Sequence, residues 1–450
     1  MRFSRSILMT TVACSVMALG VACGDDAAED GGGGSGAGSS TSSGATQEVT
    51  IEGALDTMSL TADTVWRLKG VVSVPSGKTL TIEPGTKIVG DKGTLGTLVV
   101  QRGGKIMAEG TADKPIVFTS AVPVGSRSAG DWGGVVILGK APINEAGGEA
   151  EVEGFTDPQT YGGGASPDPN DSSGSLKYVR IEFAGIEIAP DNEINGLTLA
   201  GVGKGTKIDF VQVKSALDDC FEFFGGTVDA KHLVCYNNQD DGLDFDSGYT
   251  GSIQFYFHRS DPTIADDANG FECDNDADDP GVTPITNPTI SNVTLCGPNG
   301  DPAKQQYGFL FRRGFHANVM NAFVTGFEAG VDFRNTPDTA VTLSHSVFVG
   351  NKVHNVAYPE TDPKTDDGLP NEDDDMGFDE IAWFAEGMGN VETGAIGDCW
   401  AATPDPAPAA TIPGGAPAGS GFDTSASYVG AFKDKSDTWM TGAWVDWAAN

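Results

Sequence analysis

Two acidic doublets, Asp218-Asp219 and Asp240-Asp241, stand 22 residues apart, and the residues around them repeat with them. FVQVKSALDDCFEFFGG (210–226) aligns with HLVCYNNQDDGLDFDSG (232–248), placing Phe221, Glu222 and Phe223 on Leu243, Asp244 and Phe245. A third copy, ANGFECDN (268–275), carries Phe271, Glu272 and Cys273 after an insertion lengthens the period to 28. An earlier copy, NGLTLAG (195–201), supplies Leu197, Thr198 and Leu199. Side chains alternate across a strand. This predicts two inward stacks, Leu197-Phe221-Leu243-Phe271 and Leu199-Phe223-Phe245-Cys273. Between them Thr198, Glu222, Asp244 and Glu272 form an outward column. Stacked strands lie about 4.8 Å apart. Carboxylates at that spacing repel unless a cation or bound protons relieve them. Calcium suits such a site, since it takes about six to eight oxygen ligands. The candidate calcium residues are Asp218, Asp219, Glu222, Asp240, Asp241, Asp244, Asp246, Glu272, Asp274 and Asp276. The alternative is a solvated acidic face with turn aspartates capping backbone groups.

Asp274, Asp276 and Asp278 open like a D-x-D-x-D calcium loop. Asp279 then stands where that loop needs Gly, and Ile285 where it needs Glu. A non-standard site shared with Glu272 is the calcium chemistry left open there. Glycoside hydrolysis needs two carboxyls, about 5 Å apart for retention or about 6.5–9.5 Å for inversion. Stacked rungs offer either spacing. Lyase chemistry needs a base, and Arg259, Arg312 and Arg313 are available with His258 and His316 nearby. The catalytic candidates are Asp219, Asp241, Arg259 and Arg312. GxSxG, HExxH and phosphate-loop motifs are missing, and no organic cofactor is expected. Strand alternation predicts Phe255 and Phe257 inside and Tyr256 outside, with Tyr249 close to the acidic rungs and Trp132 packing at a turn.

The element that must position these residues is a coil of short strands. VVSVPSGKTLTI (71–82) aligns with TLVVQRGGKIMA (97–108) at a period of 26, matching Gly77 to Gly103 and Leu80 to Ile106. Strand–turn units repeating at this length, without helical periodicity, indicate a β-solenoid. The expected fold is all-β, a right-handed parallel β-helix over 48–450. Each rung needs neighbours to bury its apolar face, so both ends need caps. The polar start (48–60) and residues 420–450 are the expected caps, and 359–380 an acidic surface loop.

Residues 1–22 carry Arg2 and Arg5, no acid, and an apolar run from Ile7 to Ala22, the pattern of a signal peptide. Cys23 follows Val21-Ala22 as in a bacterial lipobox and is the expected lipidation site, with Gly20 where that pattern prefers Leu. Cys14 would leave a very short apolar region. The Gly/Ser-rich tract 23–47 reads as a flexible tether. Gly24 after Cys23 suggests an outer-membrane or cell-surface destination. The net charge of −36 argues against nucleic acid and against direct docking on anionic lipid, leaving the lipid as the only membrane contact. Export permits disulfides among Cys220, Cys235, Cys273, Cys296 and Cys399, which cannot all pair.

LTIEPGTKIVG (80–90), AEGTADKPIVFTS (108–120), GDWGGVVILGKAPIN (130–144), LKYVRIEFAGIEIAPDNEINGLTLAGVG (176–203), DDCFEFFGGTVDAKHLV (218–234) and SYVGAFKD (427–434) together resemble a family of bacterial secreted or lipoprotein β-helices of pectin-lyase-like fold. Its members are mostly uncharacterised, so the resemblance speaks to fold more than activity. Some pectate lyase-like proteins, which the resemblance brings in, bind calcium through outward carboxylates on one sheet. The Asp doublets resemble the DD of polygalacturonases, whose NTD, GHG and RIK motifs are missing here. The leading expectation is an anchored, calcium-stabilised module that binds or displays polysaccharide or a surface protein. A polysaccharide lyase or glycoside hydrolase is the alternative, and a purely structural stalk a third.

Overall fold

The computed structural model describes residues 47–189, 192–264, 268–300, 306–334, 340–359 and 378–450. The leader, Cys23, all of the tether except Gln47, and 360–377 of the acidic loop lie outside the described residues. The described chain is a parallel β-helix: a 23-stranded parallel network, accompanied by two short antiparallel hairpins.

Three faces recur at each turn of the coil. On the third face Val72, Leu98, Val135, Leu197, Phe221, Leu243, Phe271, Phe309 and Val331 follow one another in register. All are buried in the main core, as the period-two pattern requires. The first face stacks Leu60, Ile82, Ala108, Leu176, Ile208 and Ala230. The second stacks Ile88, Phe118, Ile181, Val213, Cys235 and His258. Pairing of Leu80 with Ile106 and of Phe221 with Leu243 reproduces the periods of 26 and 22.

The corner between the first and second faces explains one departure from expectation. Tyr178, Phe210, His232, Phe255, Asn292, Asn321 and His345 occupy it in successive rungs, with φ from 49 to 62°. Such left-handed backbone is uncommon outside glycine. Each corner residue restarts the alternation. Tyr256 therefore turns into the main core, while Phe255 and Phe257 point out into separate outer clusters, the reverse of the expected arrangement. The corner rings stack along the coil, with centroids 4.5 Å apart for Tyr178–Phe210, 4.1 Å for Phe210–His232 and 4.9 Å for His232–Phe255. Trp132 sits at a turn, but its indole is fully buried in the main core beside Phe118.

Residues 420–450 do not cap the last rung. They run back along this corner toward the N-terminal rungs. Asn292 Nδ2 donates to the carbonyls of Ala426 and Tyr428, and Gln212 Oε1 accepts from the Asp446 amide at 2.7 Å. The Asn450 carboxamide oxygen reaches the amide of Gly125 at 2.8 Å. Burial explains the path: Trp444 is fully enclosed by Tyr178, Phe210 and Trp439. The far end is covered instead by the short helix Glu380–Glu386, whose Trp383 and Phe384 pack on Phe333 and Phe348. The 48–60 segment is itself the first rung, pairing with Thr64–Val74 and Thr79–Ile82. Disulfides join Cys220 to Cys235 and Cys296 to Cys399, leaving Cys273 as a buried thiol in the inner stack.

Trp444→Ala removes the keystone of the C-terminal segment and is expected to cost about 3–5 kcal/mol in urea unfolding. It should also render 427–450 sensitive to limited proteolysis while the rung signal in circular dichroism persists. An unchanged protease pattern would contradict the packing described here.

Candidate functional site

The turn entering the third face carries Asn195, Asp219, Asp241 and Asn269 at equivalent positions, each two residues before an inward Leu or Phe. Every one accepts the backbone N–H of its counterpart in the next rung. The Asp219 amide donates to Asn195 Oδ1 at 3.2 Å, Asp241 to Asp219 Oδ1 at 2.9 Å, Asn269 to Asp241 Oδ1, and Tyr307 to Asn269 Oδ1 at 2.9 Å. This ladder satisfies backbone donors that stacking would otherwise bury unpaired. An asparagine does this without charge, so the carboxylates at 219 and 241 bring negative charge that the ladder does not use. Asn195 and Asn269, which sequence reasoning passed over, were visible in NGL (195–197) and NGF (269–271) once set against DCF and DGL.

The acidic column is in the predicted register: Thr198, Glu222, Asp244 and Glu272 pair in sequence, and Leu310 follows. It is not a solvated face at its Thr198–Glu222 end, whereas Asp244 and Glu272 are half-buried. Glu222 is 5% exposed and Thr198 2%. Two excursions, the hairpins Ala150–Val152/Gln159–Tyr161 and Ile186–Ala189/Asn192–Ile194, put Val152, Tyr161, Ile186 and Ile194 over the neighbouring outer surface. Glu153 and Glu193, on the same excursions, add negative potential at Asp218. One oxygen each from Asp218, Asp219 and Asp240 lie within 4.8 Å of one another, and so do oxygens of Asp219, Glu222 and Asp244. Asp219 belongs to both groups.

Burial and mutual repulsion push these acids upward. Asp219, Glu222, Asp241 and Asp244 are all held well above the carboxylate range, by burial first and by neighbouring carboxylates second. Burial raises Asp218 and Asp246 to about 7. Asn195 Nδ2 donates to Glu222, whereas Asp244 Oδ1 is buried without a hydrogen-bond partner.

The rest of the candidate set has other occupations. Arg312 forks onto Asp274, Nε to Oδ1 at 2.9 Å and Nη2 to Oδ2 at 2.7 Å, and also touches Glu272; Arg313 adds a contact to Asp274 at 2.7 Å. These guanidiniums supply the counter-charge for Glu272 and Asp274. Asp276 Oδ1 accepts the amides of Asp278 and Asp279 at 2.8 and 2.7 Å, which is turn capping. Among the catalytic candidates, Asp219, Asp241 and Arg312 gather here. Arg259 does not: it closes a second-face strand beside Tyr236. His258 faces into the coil, where burial holds its pKa down to about 3 and leaves it neutral. His316 lies just before the strand Ala317–Thr325.

Elsewhere, the outer side of the first face forms a cleft of about 400 Å³ lined by Lys177, Lys207 and Lys231 with Glu109, Asp209 and Asp229. Lys177, Asp209 and Lys231 are direct neighbours across three rungs, so opposite charges alternate along it.

Residues 52–401 match a family described as a pectate-lyase like beta helix domain. No curated protein and no solved structure matches the chain. With most of its length inside that match, and with parallel rungs throughout it, the chain belongs to the pectate-lyase-like β-helix family, which supports a polysaccharide-related or structural role.

Proposed function

We propose that the protein is a cell-envelope binding module whose β-helix is stabilised by calcium at the Asp218–Asp219–Asp240 and Asp219–Glu222–Asp244 groups, and which presents its flanks to polysaccharide. One observation carries the cation: more carboxylates are buried at these turns than the neighbouring guanidiniums neutralise, and Asp219 and Asp241 stand where asparagine serves the ladder equally well. A hard divalent ion relieves this repulsion through oxygen ligands at the observed separations. The first-face cleft and the family support polysaccharide as the partner. The leader pattern, Cys23 and the Gly/Ser tract support a lipid anchor with a tether, and with it an outer-membrane or cell-surface location for the module.

Calcium at about a hundredfold its dissociation constant should stabilise the fold by about 2.7 kcal/mol. A melting temperature indifferent to calcium and to chelator would sink the cation site. Asp219→Asn keeps the ladder acceptor and deletes one buried charge. It should therefore stabilise the chelated protein by on the order of 1–3 kcal/mol and weaken the response to calcium. Equal calcium responses in wild type and variant would count against Asp219 as a ligand.

The pH dependence of chelated protein has a definite sign. Asp218 and Asp246 have folded pKa values of about 7, above the unfolded aspartate value of about 3.9. The folded state thus holds protons that the unfolded chain releases, and stability falls as pH rises through this window. Denaturant titrations of chelated protein at several pH values check this; stability rising over that range would contradict it. Cys23→Ser should move the protein from the detergent phase to the aqueous phase on phase partitioning, and unchanged partitioning would remove the anchor.

A further inference from the structure

Arg259 ends the second-face strand Ser252–Arg259. It is 7% exposed in a chain of net charge −36. Its Nη1 donates to the Tyr236 hydroxyl at 2.8 Å, and its guanidinium carbon lies 4.9 Å from the centre of that ring. Nε is buried without a hydrogen-bond partner. Among the described residues, no carboxylate comes within ion-pair distance of it. Arg67, Arg102, Arg180, Arg312, Arg313 and Arg334 all have one. A buried cation without a counter-ion is costly, and surplus carboxylates are plentiful in this sequence. Arg127 also has none, but it is only half-buried and its Nε donates to the Val122 carbonyl at 3.0 Å, so it is burial without a counter-ion that sets Arg259 apart.

The guanidinium lines a cleft of about 650 Å³ between the coil and the C-terminal segment, with Tyr236, Trp400, Thr403, Asp446 and Trp447. That volume suits a ligand of a few rings at most. Asp446 does not serve Arg259: its Oδ2 meets Lys214 Nζ at 2.6 Å and its Oδ1 accepts the Ala448 amide at 3.3 Å. Trp447 stands edge-on to Tyr236, ring centres 5.0 Å apart, and Trp400 is fixed by donating its indole N–H to the Gly297 carbonyl at 2.9 Å. The result is a planar cation lining a recess with Tyr236, Trp400 and Trp447.

We propose that this cleft binds an acidic sugar unit, Arg259 holding its carboxylate or sulfate while Trp400 and Trp447 cover the ring. A guanidinium matches either oxyanion through paired N–H donors. The apolar C–H face of a pyranose, carrying a slight positive charge, packs on the negative face of an indole. The sugar rests on the polysaccharide reading above; the oxyanion site stands independently of calcium.

The test uses the full mature protein at fixed calcium, titrated with glucuronate, glucose 6-sulfate, glucose and inorganic sulfate. Binding is read from tryptophan fluorescence and from the Arg259 side-chain N–H resonance. Glucuronate, glucose 6-sulfate or both should saturate with affinity at least about tenfold above glucose and above inorganic sulfate, and shift the Arg259 resonance. The two acidic arms tell carboxylate from sulfate. Arg259→Gln should weaken binding at least about tenfold. Arg259→Lys, which keeps charge without the fork, should weaken it less, and the exposed Lys105→Gln should leave it unchanged. Failure of both acidic sugars to bind wild type overturns the proposal, as does binding that Arg259→Gln leaves intact. Inorganic sulfate binding as tightly as the acidic sugars overturns the sugar assignment. Repeating the titration after chelation separates the sites: a calcium-indifferent melt with acidic-sugar binding retained removes the cation alone.

Discussion

Every feature of this protein depends on one constraint: a rung of the coil cannot bury its apolar side chains alone. The chain satisfies it by register. Val72 through Val331 on the third face form one unbroken inward stack, each residue roofed by the next. In-register stacking repeats whatever lies outward as well. The same pairing that stacks Phe221 on Leu243 sets Glu222 against Asp244. The acidic column is therefore a consequence of core packing applied to an outward position, and its electrostatic cost is built into the architecture unless something neutral or cationic intervenes. Arg312 and Arg313 intervene at the Glu272–Asp274 end. No comparable guanidinium contacts Asp219, Glu222 or Asp244 among the described residues.

The corners answer the same constraint differently. From the Tyr178 rung onward, a residue held left-handed at the first-to-second corner turns the chain and points its side chain outward, building a second stack outside the coil. Where that stack is aromatic it takes the tryptophans of the C-terminal segment, and where it is asparagine it takes that segment's backbone carbonyls. The outer cluster around Trp444, Phe257 and Phe432 is a satellite core beside the main one. Arg259 sits at the seam between coil and C-terminal segment, which is why it can be both buried and open to a cleft.

Much of the coil was legible in the sequence because its strands signal locally. Periods of 22 and 26 and the Leu/Phe alternation in 197–199, 221–223 and 243–245 specify rung, register and the identity of the acidic column. The burial at the Thr198–Glu222 end of that column was not legible. It comes from the excursions near 150–161 and 186–194, whose docking depends on partners distant in sequence. The corner was also hidden, since nothing in Gln254-Phe255-Tyr256 marks a left-handed phenylalanine, and alternation counted through it gives the wrong faces. The path of 420–450 was misjudged for a similar reason: its aromatic content announces burial without saying against what. The ladder lies between these cases, with local letters whose meaning emerges only when asparagine and aspartate are treated as one acceptor.

The return of the C-terminal segment has a mechanical consequence. Gln47 opens the first rung, and Asn450 is bonded to Gly125 and Arg127, only a few rungs along. Both described termini thus belong to the same end of the coil. Tension applied between them would be borne across the lowest rungs and the returning segment, without stretching the stack along its axis. A reporter fused after Asn450 would sit at the base with the N-terminal strand, whereas one grafted into the turns near Asn351 would ride at the opposite tip.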